Sequence, residues 1–210
     1  MTPAVAERHA RFVRVTHWLT AAAFFALLVS GFEVVLSHPR FYWGESGNVN
    51  TAPAFTLHVP SSRSTVPTGY SYGLPDQNGW SRSLHFQSAW VLLLTAFVYV
   101  VLGFRTGHFQ KNLAGDSSAY NKRQRLTYLV VIFGLFPLVI WTGLAMAPAF
   151  TAIFPSSVTL LGGRQSARTL HFVATILLVL FTLVHLTMVV LAGFWARTRP
   201  MITGSAETLR

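Results

Sequence analysis

The sequence predicts an all-α membrane protein, a four-transmembrane-helix bundle with one long external loop. Two observations carry that. The 210 residues are 52% hydrophobic and only 10% charged, against the ~25% charged residues of a soluble domain. The apolar residues also gather in four continuous runs, each near the ~20 residues a helix needs to cross a hydrocarbon core. Within lipid only a helix or a closed barrel satisfies its own backbone, and runs this long and continuous read as helices.

The spans are expected at about 16–36, 84–104, 126–147 and 169–195, in a single domain covering 1–210. The first follows a basic stretch, as a signal peptide would. His17-Trp18 opens it and no small-residue cleavage site follows, so it reads as an uncleaved span. The loop at 37–83 is rich in Pro, Gly, Ser, Asn and aromatic residues, with FYWGESG and PTGYSYGLPDQNGW carrying turn signals. A loop of this length with so many aromatics is expected to be an ordered cap that docks a partner. In span three, Pro137 removes one ladder hydrogen bond and should kink the helix. The tail from Pro200 to Arg210 reads as frayed.

The net charge of +10 does not point to nucleic acid, because the basic residues flank the apolar runs and form no stripe. They read as topology signals. One side collects Arg8, Arg11, Arg14, Arg105, Lys111, Lys122, Arg123, Arg125, Arg197, Arg199 and Arg210; the other has Arg40, Arg63, Arg82, Arg164 and Arg168. By the positive-inside rule both termini are cytoplasmic. Trp18, Trp43, Trp80, Trp141 and Trp195 fall near the expected span ends, as interfacial aromatics do. The absence of cysteine excludes disulfides, iron–sulfur ligation, thiolate zinc sites and haem attached through C-x-x-C-H.

Of eight histidines, His9, His38, His58 and His108 fall in loops or tails and read as solvated. The other four lie in spans. His171 and His185 are 14 residues apart in span four; they share a face to within ~40° and differ by ~21 Å in depth. Span one starts inside, placing His17 at the depth of His185. Span two starts outside, placing His85 at the depth of His171. Ionisable groups at these depths are costly and usually functional. The plain alternative is structural histidines bonded to nearby hydroxyls or carbonyls. A zinc site wants about four close ligands, and a proton relay wants carboxylates, of which Glu33 is the only one in a span. Each pair has what a six-coordinate haem iron needs, two neutral imidazoles facing across the porphyrin. Two b haems, one on His17 with His185 and one on His85 with His171, fit best.

Arg14-x-x-His17, Arg82-x-x-His85 and Arg168-x-x-His171 repeat one offset on three helices. Residues i and i+3 are neighbours on a helix face, so each Arg sits a turn nearer the surface, where it can bind a haem propionate. Gly31 and Gly103 fall near the ligand faces at the opposite depths and would let a macrocycle approach the backbone.

These residues also carry a family resemblance. His17-Trp18, Arg82-x-x-His85, Tyr120-Asn121-x-x-Gln124, and Gly162-Gly163 leading to Arg168-x-x-His171 and His185 resemble the prokaryotic di-haem cytochrome b subunits. That cytochrome b561-like group includes the membrane subunits of formate dehydrogenase, nickel-iron hydrogenase and thiosulfate-reductase-type enzymes. The resemblance implies two b haems in the bacterial inner membrane, and electron transfer between quinone and a periplasmic oxidoreductase. The loop resembles the branch that accompanies molybdopterin oxidoreductases, which would dock on 37–83. Candidate quinone residues at the inner surface are His108, Lys111, Asn121 and Gln124, with Glu33 and His38 as a competing external site. Two other classes stay open: a stand-alone di-haem superoxide oxidase or ferric reductase, and a haem-free scaffold.

Overall fold

The structure is a computed structural model and describes residues 9–48, 50–58, 78–111 and 122–204; of residues 78 and 122–125 it describes the backbone alone. In chain order the elements are α1 (Arg11–Ser37), β1 (Arg40–Phe41), β2 (Phe55–Thr56), α2 (Asn78–Arg105), α3 (Lys122–Val130), a π-helical stretch (Val131–Leu135), α4 (Phe136–Ala145), α5 (Pro148–Ile153), α6 (Ser156–Thr159), α7 (Arg164–Leu191) and α8 (Phe194–Thr203). Among the described residues four helices are long and apolar enough to cross a membrane: Arg11–Ser37, Gly79–Arg105, Leu126–Ala145 and Arg164–Leu191. Large apolar side chains such as Phe25, Val29, Phe97 and Val184 face outward, as they can where lipid is the solvent.

The helices pack as two pairs. α1 lies along α2, and α4 lies along α7, while backbone approaches between the pairs are sparse among the described residues. Small residues set the first seam. Thr16, Ala23, Ser30 and Ser37 recur every seventh position of α1 and are buried, and Ser81, Ser88 and Thr95 do the same on α2. Without bulky side chains the two backbones come close, the usual basis of helix association in lipid. Two of the α1 hydroxyls are satisfied at home: Thr16 Oγ1 donates to the Phe12 carbonyl at 2.7 Å and Ser30 Oγ to that of Ala26 at 2.7 Å. The second seam uses Thr142, Ala145, Ala167 and Ala174, all buried.

The kink expected at Pro137 appears as the π-helical stretch just before it. The Phe136 amide donates to the Val131 carbonyl, five residues back. A proline has no amide for the carbonyl four residues earlier and its ring collides with it. Widening one turn relieves both problems.

Span four needs correction at both ends. α7 begins at Arg164 and stops at Leu191, so Trp195 belongs to α8. Gly193, at φ +91°, makes the break. The tail is also more structured than expected, since Pro200 to Thr203 complete α8. Apolar Met201 and Ile202 return to the start of α1, where Arg14 Nη1 donates to the Ile202 carbonyl at 2.9 Å and Trp18 Nε1 to that of Met201 at 3.0 Å.

The first part of the long loop is built against the start of α7. β1 and β2 pair antiparallel, and the buried Phe41 ring stacks on Phe55 at 4.7 Å and packs at a tilt against Phe172 at 4.5 Å. The Gly44 carbonyl accepts from the Gln165 and Ser166 amides, and Thr169 Oγ1 donates to the Tyr42 carbonyl at 2.7 Å. Backbone meets backbone here: a Cβ on Gly163 would fall 2.4 Å from the Gly44 carbonyl carbon. Most of the PTGYSYGLPDQNGW motif lies outside the described residues.

Candidate functional site

The four span histidines meet in two pairs. On the side where the loop packs, His85 of α2 faces His171 of α7, with ring centroids 6.3 Å apart and planes at 64°. On the side where α8 packs, His17 of α1 faces His185 of α7 at 6.3 Å and 64°. The two pairs thus share one geometry, and each joins one helix pair to the other. Among the described residues no group of three or more His, Cys, Asp or Glu is placed to hold a metal ion.

The loop-side pair is held from behind. Ser30 Oγ lies 3.0 Å from His85 Nδ1, and Thr142 Oγ1 lies 3.0 Å from His171 Nδ1. Each hydroxyl has one proton, already given to a carbonyl of its own helix, Ala26 at 2.7 Å and Leu138 at 2.7 Å. Each hydroxyl therefore accepts, and Nδ1 must donate. His171 Nδ1 also reaches the Val139 carbonyl at 3.0 Å, which can only accept, and the Leu27 carbonyl plays the same part for His85. This network assigns the proton to Nδ1 and leaves the Nε2 lone pairs free. The residue after each hydroxyl is glycine. A Cβ on Gly31 would stand 3.4 Å from His85 Cε1, and one on Gly143 would stand 3.3 Å from His171 Cε1.

Residues 8–204 match the prokaryotic cytochrome b561 family. The chain belongs to that family. Cytochrome b561 proteins are membrane haem b proteins of electron transport, and this one is an integral membrane protein. It is also similar to "Putative protein-methionine-sulfoxide reductase subunit YedZ1" of Azospira oryzae, 28% identical over 207 residues that cover 87% of this chain and 90% of that protein. No solved structure matches it.

The arginines of this cytochrome b561 sit differently from one another. Arg168 reaches into the loop: it donates from Nη1 to the Arg40 carbonyl at 3.1 Å and from Nη2 to the His38 carbonyl, and lies over the Phe41 ring. Arg14 is engaged by α8 in the parallel way, with its Nε buried and unpaired among the described residues. Arg82 is exposed.

Among the quinone candidates, His108 is not the solvated loop residue expected. It is half-buried, packed edge-on against Phe12 at 5.6 Å and near Tyr99 at 6.1 Å. Burial, and then nearby His9, hold its imidazole below the ordinary pKa. Lys111 is exposed. Asn121 lies outside the described residues, as does the side chain of Gln124. Of the external alternatives, Glu33 is buried and the His38 side chain is exposed.

Sequence reasoning missed Ser30, Thr142 and Gly143 in this cytochrome b561. A signal was present: Leu27-x-x-Ser30-Gly31 and Val139-x-x-Thr142-Gly143 are the same pattern on two spans. Gly103 does not serve the site as expected; a Cβ there would meet the Phe109 ring at 2.5 Å.

Proposed function

We propose that this cytochrome b561 holds two b haems, one between His17 and His185 and one between His85 and His171. On this reading it carries electrons across the bacterial inner membrane, between the quinone pool and a periplasmic oxidoreductase. The observation that carries it is the matched pairs at 6.3 Å. Two imidazoles bonded to opposite sides of one metal, at ~2.0 Å per bond and ~1.1 Å from nitrogen to ring centre, have centroids ~6.2 Å apart. Each pair supplies two ligands with no third His, Cys, Asp or Glu grouped with it among the described residues, which favours a macrocycle as the source of the remaining donors.

When bound, haem supplies a one-electron iron couple at each depth. The chain supplies the rest. His85 and His171 would offer Nε2, and His17 and His185 a ring nitrogen, as ligands. Arg14, Arg82 and Arg168 stand a turn outward for the propionates, and a guanidinium has five N–H groups, enough to bridge a cap and a carboxylate. The 11 basic residues on the terminal side against 5 on the loop side favour cytoplasmic termini and a periplasmic loop.

The Azospira oryzae relative, a "Putative protein-methionine-sulfoxide reductase subunit", favours a reductase as partner. We take that partner to be molybdopterin-dependent and docked on 37–83, so that electrons leave at the loop side. Quinol would then be oxidised at the terminal side, near His108, Lys111, Asn121 and Gln124. An apolar groove is lined by Leu126, Val130, Leu180, Phe181 and Val184, and the Phe181 ring stacks on His185 at 5.9 Å.

The test is quinol added to the purified, oxidised protein, followed by visible spectroscopy. Reduction of b-type absorbance by quinol, and reoxidation only with a periplasmic reductase, is the expected result. Full turnover with superoxide or ferric iron and no partner would make the chain a stand-alone oxidase or reductase. An absence of b-type bands would leave a scaffold.

A further inference from the structure

The two imidazole pairs share a geometry but not a hydrogen-bonding environment. His85 and His171 each have an Nδ1–H shared between a hydroxyl at 3.0 Å and a carbonyl of the same neighbouring helix, that of Leu27 for His85 and that of Val139 for His171. Among the described residues His17 and His185 make no hydrogen bond; their ring neighbours are Trp18 and Phe181. We infer that Ser30 and Thr142 are positioning residues that act through His85 and His171 to lower the reduction potential of the loop-side iron alone. The inference rests on the bis-histidine reading proposed above.

An imidazole whose Nδ1–H donates to an acceptor carries more electron density at Nε2 and is the more basic ligand. A more basic ligand stabilises the ferric over the ferrous ion, and the potential falls. The acceptors are well placed to do this. Ser30 and Thr142 are fully buried, with relative exposures of 0% and 0%, so water does not compete. Each hydroxyl is fixed by its own bond to a helix carbonyl at 2.7 Å, which directs a lone pair at the ring. In a water-excluded site the polarisation is strong. The small residues beside them complete the arrangement. Gly31 and Gly143 leave room for each imidazole to lie flat against the helix that carries its acceptor. On the other side, Trp18 and Phe181 orient the rings by packing, which adds no negative charge at Nδ1.

The chain thus uses two means of aiming a histidine. One is chemical and changes donor strength; the other is steric. A substitution that removes a hydroxyl should move one iron and leave its companion as it was.

The experiment is potentiometric titration of the haem-loaded protein, comparing wild type with Thr142→Val, Thr142→Ser and Ser30→Ala. The expected result is an upward shift of one midpoint in Thr142→Val and Ser30→Ala, at least threefold in the reduction equilibrium, or ~28 mV at 59 mV per decade. The other midpoint stays put, and Thr142→Ser keeps the wild-type value because it keeps the acceptor. Both midpoints moving together, neither moving, or Thr142→Ser shifting as far as Thr142→Val would each overturn the inference. If Thr142→Val does not retain two haems, Ser30→Ala decides on the same criteria. Haem content, measured on the same samples, separates this from the ligand assignment. Two haems with unmoved midpoints sink the positioning role and leave the ligands standing, whereas a wild type without two b haems sinks both.

Discussion

The Arg168 guanidinium carbon stands 4.9 Å above the centre of the Phe41 ring. The same side chain donates to the carbonyls of His38 and Arg40. Charge, ring and backbone together clamp the first part of the loop onto α7, one turn from His171. Arg168→Ala removes a cation–π contact and two hydrogen bonds to a charged donor, about 2–4 kcal/mol of local stability. Hydrogen exchange should rise across 40–57 and stay unchanged in α1 and α2. Arg168→Lys keeps the charge but not the planar fork, and should recover only part of the protection.

Gly163 and Gly44 give a second test of the loop. Both have positive φ, +113° and +97°. A Cβ on Gly163 would also collide with Gly44 backbone at 2.4 Å, whereas one on Gly44 meets nothing within 4 Å. Gly44→Ala should cost about 1–2 kcal/mol for conformation alone. Gly163→Ala should cost more, because neither backbone can yield, and should release the loop to protease. Equal sensitivity of the two variants would mean the collision is not felt.

The glycines facing the loop-side imidazoles predict a graded response. A methyl at Gly143 would stand 3.3 Å from His171 Cε1 and needs a few tenths of an ångström of give. Gly143→Ala should keep both haems, more weakly on one side, and Gly143→Val should lose one. Gly134, with open space around it, is the control, and Gly134→Ala should be neutral or slightly stabilising. Haem-to-protein absorbance ratios read all three.

The four spans were legible because lipid demands long, unbroken apolar runs, and the histidines could be sorted by depth because helical rise is fixed. The facing of His17 with His185 and of His85 with His171 follows from that arithmetic. Ser30 and Thr142 were not legible. A hydroxyl in a membrane helix most often bonds its own backbone, as both of these also do, and the sequence does not say which one has a ring behind it. The loop contacts escaped for a different reason: Gly44 on Ser166 and Tyr42 on Thr169 join positions more than 120 residues apart, each a side-chain hydroxyl of α7 meeting a backbone atom of the loop, which leaves no periodic trace. α8 was hidden by Pro200 and by its mixed composition. Pro137 announced a break but not its form, because a kink and a π-helical turn relieve the same clash.

α8 offers a test at the other end. Arg14 and Trp18 hold it through the Ile202 and Met201 carbonyls. Arg14→Ala should free α8 at a cost of about 1–3 kcal/mol, seen as faster exchange across 194–203. Trp18→Phe, which loses only the indole donor, should have roughly half that effect. Unchanged exchange in both would show that α8 is held by its apolar side chains instead.

Pairing of the four imidazoles around two irons is tested most directly by counting haem per chain in purified, haem-replete protein and in its His171→Ala variant. The expected values are two b haems in the wild type and one in the variant, with the spectrum of the His17–His185 site intact. Fewer than two in the wild type, or two retained in His171→Ala, would contradict it.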